Sequence, residues 1–145
     1  MKMLTLIAIT LALFSTNSIA KKFYADVQLT HISPPSNAIW QRENKNTPRY
    51  PIALARSGLK GCSVLSFTIS EKGEAENIEV ISSVPNKHIG RHSRKLINNW
   101  KWLPTPETTK PASEERVLRL DFCMGGESIE QSQSACKQQT RLVCG

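Results

Sequence analysis

From Cys62 to Ser70 the side chains alternate so regularly that only a half-buried strand satisfies them. Ser63, Leu65, Phe67 and Ile69 fall on one side; Cys62, Val64, Ser66 and Thr68 fall on the other. Glu71-Lys72-Gly73 follows, a tight reversal whose glycine suits a left-handed position. Ala75 to Ile81 then reads as the return strand, with Ile78 and Val80 on the core side, and Ser82 to Pro85 ends it. A hairpin with one apolar face is not stable alone, so the rest of the chain has to supply its cover.

Two helices are predicted to do so. Pro51 stands at a first helical position and Gly58 just past an end, which frames a helix from Ile52 to Ser57. At under two turns it needs tertiary packing to persist. Asn86 caps a longer helix from Lys87 to about Trp100. Its stripe of Ile89, Ser93, Leu96, Ile97 and Trp100 has helical spacing. Gly90 weakens that helix by about 1 kcal/mol relative to alanine. Pro104 and Pro106 stop it. Glu115 to Cys123 is the last strand, with Leu118, Leu120 and Phe122 inward and Val117, Arg119, Asp121 and Cys123 outward. The order defines an α+β two-layer sandwich: a three-stranded antiparallel sheet with both helices on one face. The hairpin's first strand lies in the middle, and the last strand is an edge.

The flanks set the compartment. Lys2, an apolar run from Met3 to Phe14, and small residues ending at Ala20 have the layout of a secretory signal peptide. The run is shorter than the roughly 20 residues a spanning helix needs. The alternative is an uncleaved anchor facing the periplasm. Residues 21–47 form a polar leader in which Asp26 to Thr30 alternates briefly and predicts a strand. Residues 48–123 are the domain, and 124–145 a polar tail with a helix expected from Ser128 to Gln138. A formal charge of +7 fits nucleic acid, acidic surfaces or solubility, and export argues against nucleic acid.

Cys62, Cys123, Cys136 and Cys144 in an exported chain imply two disulfides, with three possible pairings. Cys62 begins one strand and Cys123 ends its neighbour, both facing outward, which favours 62–123 and leaves 136–144. Free thiols are the other possibility. No catalytic signature converges, and no cofactor is implied. His88 and His92 share a helix face at metal-ligand spacing, but Lys87, Arg91, Arg94 and Lys95 crowd them and no third ligand is evident. The functional candidate is the edge of the last strand, where unpaired backbone groups attract an extended peptide. The competing expectation is that the tail or the leader covers that edge.

Taken in order, Pro48-x-Tyr50-Pro51, Ala53, Gly61, Phe67, Gly73, Ile78-x-Val80, Ser82, Pro85, Arg91 and Trp100-x-Trp102-x-Pro104 resemble the TonB C-terminal domain. The third strand fits by position. The resemblance implies a role in TonB-dependent transport across the outer membrane of Gram-negative bacteria. It also implies that the TonB box of an outer-membrane receptor adds as a strand beside the last strand. Carried onto this chain, the contact residues are Val117, Leu118, Arg119, Leu120, Asp121 and Phe122, approached past Arg49, Tyr50 and Pro51. A full transducer of the family has an uncleaved membrane helix engaging ExbB–ExbD and a long Pro-rich spacer. Here the leader runs only from Lys21 to Thr47, and the apolar run has no histidine. A free periplasmic module is therefore expected. A short membrane-anchored transducer partnered by ExbB–ExbD, and a disulfide-stapled envelope scaffold without receptor binding, are the alternatives.

Overall fold

The computed structural model describes residues 22–145. The expected signal segment, with cleavage expected after Ala20, lies outside the described residues. The elements are β1 (Ala25–Ser33), β2 (Trp40–Arg42), α1 (Ile52–Arg56), β3 (Gly61–Ile69), β4 (Ala75–Val84), α2 (Lys87–Asn98), β5 (Trp102–Pro104), β6 (Glu114–Met124) and α3 (Ile129–Gln139). The main sheet is antiparallel in the order β1-β6-β3-β4, and β2 and β5 form a second, two-stranded ribbon. The α+β class holds.

The three-stranded count does not hold, because the leader supplies a fourth strand. In β1, Val27 and Leu29 face inward and pack with the core, and the strand expected at Asp26 to Thr30 runs from Ala25 to Ser33. β3 is central, as the hairpin order predicted, but only β4 and β1 are edges.

The inner face carries Leu65, Phe67, Ile69, Leu118, Leu120 and Phe122, all buried. Helix α2 lays Ile89 and Ile97 on it. Ser93 is the polar member of that stripe, and its hydroxyl meets Ser63 Oγ at 2.6 Å inside the core. Asn86 caps the helix, its Oδ1 accepting from the His88 amide at 2.9 Å. Gly90 weakens the helix locally, yet a Cβ there would lie 2.6 Å from Val80 Cγ1. The missing side chain lets α2 approach β4. Short α1 contributes Leu54 to the core.

The turn after β3 is tied to the ribbon. Gly73 has φ +76°, and a Cβ on it would lie 2.2 Å from the Trp102 carbonyl oxygen. The Trp102 amide donates to Gly73 O at 3.1 Å. Gly58 has φ +62° but open space around it. Gly73→Ala should therefore cost upwards of about 2 kcal/mol, and Gly58→Ala only about 1 kcal/mol of backbone strain. Equal losses in denaturant unfolding would show that the close approach to Trp102 contributes nothing.

The two-bridge expectation holds, but the pairing is different: Cys62–Cys144 and Cys123–Cys136, with Cα separations of 5.9 and 5.3 Å. Strand β6 outruns β3, so Gly61 lies opposite Phe122 and Cys62 opposite Asp121. Cys123 then falls past the end of β3 and pairs across with Asp26 of β1. The two cysteines share the outer face without being neighbours, and each reaches into the tail instead. Helix α3 packs against β1 and β6 on this outer face, so the helices do not all lie on one side. Its N-cap is Ser128, whose hydroxyl accepts from the Gln131 amide at 3.2 Å.

Candidate functional site

Strand β6 is held on both sides. Toward β3, Gly61 through Ser66 pair with Phe122 through Val117. Toward β1, Val27 faces Phe122, Leu29 faces Leu120 and His31 faces Leu118, with a register shift before Ser33 meets Val117. Of the two expectations for the edge at Val117–Phe122, the structure has the covered one, and the leader is the cover. An unpaired backbone row is absent there because the chain fills it with its own strand.

The side chains of this segment divide by parity. Leu118, Leu120 and Phe122 are core residues. On the outer face, Arg119 and Asp121 form a two-pronged ion pair at 2.8 and 2.9 Å. Asp121 is fully buried, a costly place for a carboxylate unless each oxygen is satisfied. Arg119 and the Gln139 side chain, at 3.0 Å from Oδ1, do that. Arg119 also donates to the Gln139 and Leu142 carbonyls. These two residues, expected to face a partner, anchor α3 and the tail to the sheet.

The approach residues behave differently. Arg49 is exposed and Tyr50 half-buried. The Tyr50 ring meets Phe122 edge-on with centroids 5.7 Å apart, and its hydroxyl donates to Leu59 O at 2.7 Å. Burial pushes the Tyr50 phenol up to about 12. The structure thus brings the segment containing Arg49, Tyr50 and Pro51 to the Phe122 end of β6. His88 is exposed and His92 half-buried on α2; His92 is lowered by partial burial, then by Lys95, Arg91 and His88.

One cluster escaped the sequence reading. Arg116 occupies an inward position of β6 and is buried. It pairs with Glu114, donates to the Trp40 carbonyl, and stacks over the Trp102 ring at 5.2 Å. Its NH1 lies 3.2 Å from His31 Nδ1. A guanidinium only donates, so Nδ1 accepts and the imidazole is neutral with its proton on Nε2. Partial desolvation, then Arg116 and Arg42, hold His31 below its usual range. The available signal was parity: the alternation that places Leu118 inward also places Arg116 inward.

A four-stranded antiparallel sheet with its last strand paired on both sides, a two-stranded ribbon and helices on both faces defines a small α+β domain. Residues 46–124 match the C-terminal region of Gram-negative bacterial TonB proteins, and the chain belongs to that family. It is 30% identical over 76 residues to protein TonB of Xanthomonas campestris pv. campestris strain B100, covering 52% of this chain and 34% of that one. With protein TonB of Pseudomonas aeruginosa the identity is 27% over 75 residues, covering 52% of this chain and 22% of that one. The matched region thus spans about a third or less of these curated relatives. The solution NMR structure of the Pseudomonas aeruginosa TonB C-terminal domain aligns with TM-score 0.48 and 24% identity, covering 63% of this chain and 91% of that one.

Proposed function

We propose that this chain is a periplasmic TonB-type binding module serving TonB-dependent transport across the outer membrane. In this reading an extended receptor peptide, the TonB box, pairs beside β6 along Val117–Phe122, with Arg49, Tyr50 and Pro51 at the strand's end. One observation carries it: β6 accepts, on the side away from β3, an extended antiparallel strand that is not part of the hairpin core. Backbone pairing of that kind is the basis of strand addition. Family membership supports the partner class. Two disulfides and the signal-like start support an oxidising, exported setting.

The peptide takes this place by replacing β1. No disulfide ties β1 to the domain, and its residues from Thr30 to Ser33 are exposed. Exchange starts there, at the register shift, and runs toward buried Val27.

Titrating a synthetic TonB-box peptide into isotope-labelled protein tests this. Amides of Ala25–Ser33 should move toward unstructured positions while β6 amides report a new neighbour. A scrambled peptide should do neither. A peptide that left β1 paired, or perturbed only other elements, would overturn the assignment to β6.

A further inference from the structure

Between the end of β1, the turn that follows it and β2 lies a cavity of about 460 Å³, within the range of small-molecule sites. Leu29, Pro34 and Pro35 give it an apolar wall. Arg42, Lys45, His31 and Arg116 also line it. Its charges are unbalanced. Glu114 neutralises Arg116, but among the described residues no carboxylate lies within ion-pair distance of Arg42 or Lys45.

Two of the cationic groups, Arg42 and Arg116, are held in place. Arg42 lies over the Trp100 ring at 4.6 Å and donates to Asn46 O at 2.5 Å. Arg116 is fixed by Glu114, Trp40 O and His31. His31 also lines the cavity. Cationic donors around an apolar wall, with too few anions to satisfy them, complement one kind of ligand. Preorganised donors lose little freedom on binding, and charge-assisted hydrogen bonds are the stronger ones.

We propose that this cavity binds an amphipathic carboxylate. The carboxylate meets Arg42 and Lys45, and its apolar body lies against Leu29, Pro34 and Pro35. The carboxylate belongs either to a free organic acid or to an acidic side chain of a peptide. The cavity is distinct from the edge of β6, but Leu29 and His31 belong to β1, so a peptide that displaces β1 also dismantles this site.

Three probes distinguish the possibilities by amide shift mapping on the full chain: 3-phenylpropionate, its uncharged amide, and a capped tripeptide with a central glutamate. Saturable shifts at Leu29–Arg42 with 3-phenylpropionate, at least about tenfold weaker with the amide, support the proposal with a free acid as source. Saturation by the tripeptide alone supports it with a peptide source. An Arg42→Gln, Lys45→Gln variant should weaken the binding probe about tenfold while its other amide shifts stay unchanged. Equal binding of acid and amide, undiminished binding by the variant, or no saturable shift at these residues with either carboxylate into the low-millimolar range overturns it.

Discussion

A Val27→Asp variant is expected to bind a TonB-box peptide about tenfold or more tightly than the unaltered chain. Val27 is 3% exposed, faces Phe122 across the ladder, and belongs to the core cluster. Its removal forfeits roughly 1.5–3 kcal/mol of burial, and a carboxylate in its place adds a desolvation cost. Both terms act on the docking of β1. If β1 competes with the peptide, the apparent affinity is reduced by the fraction of molecules in which the slot is open. Weakening β1 restores that factor. A chain lacking residues 22–33 should show the same gain, which separates competition from any general damage done by a buried charge. Calorimetric titration of the three proteins gives the answer. Unchanged or lower affinity in both altered chains would mean that β1 is not the competitor.

Replacing Cys62 and Cys144 together by serine should cost about 4.5 kcal/mol, against about 3 kcal/mol for Cys123 and Cys136. The difference follows from ring size, with sequence separations of 82 and 13. In a domain this small the first loss lowers Tm by roughly 10–20 °C. Thermal and denaturant unfolding of the two double variants measure both. Recovery of a Cys62–Cys123 peptide from a non-reduced digest would contradict the pairing outright.

The hairpin, its turn and the capped helix α2 were legible because each rests on local chemistry: alternation, a left-handed glycine, an asparagine cap. The central place of β3 between β4 and β6 followed from a right-handed crossover between the hairpin and the last strand. The disulfide pairing was not legible, because parity tells which face a cysteine takes but not where two strands start relative to one another. Placing Gly61 opposite Phe122 moves Cys123 past the end of β3. The covered edge was half visible: Asp26 to Thr30 showed a strand, but its partner is set by long-range packing of Val27 and Leu29. Trp40 carries no local signal: its buried place in the ribbon depends on pairing with Pro104 and an indole bond to Ala112 O at 2.7 Å. Arg116 was missed for a different reason. Alternation placed it inward, and a charged residue there is costly unless paired, but its partners come from residues 31, 40 and 114. Arg119 and Asp121 show the converse: the resemblance named them as partner contacts, and in the structure Arg119 also donates to carbonyls of the tail.

The Cys62–Cys144 bridge closes a covalent ring around β3, β4, α2, β5, β6 and α3. One peptide bond cut anywhere inside that ring, for example in the exposed stretch 109–113, leaves two pieces that remain a single molecule. A protease that nicks this domain once opens the ring but separates nothing. The clipped form would migrate as one species until the Cys62–Cys144 disulfide is reduced, and the sheet would keep every strand within reach of its neighbour.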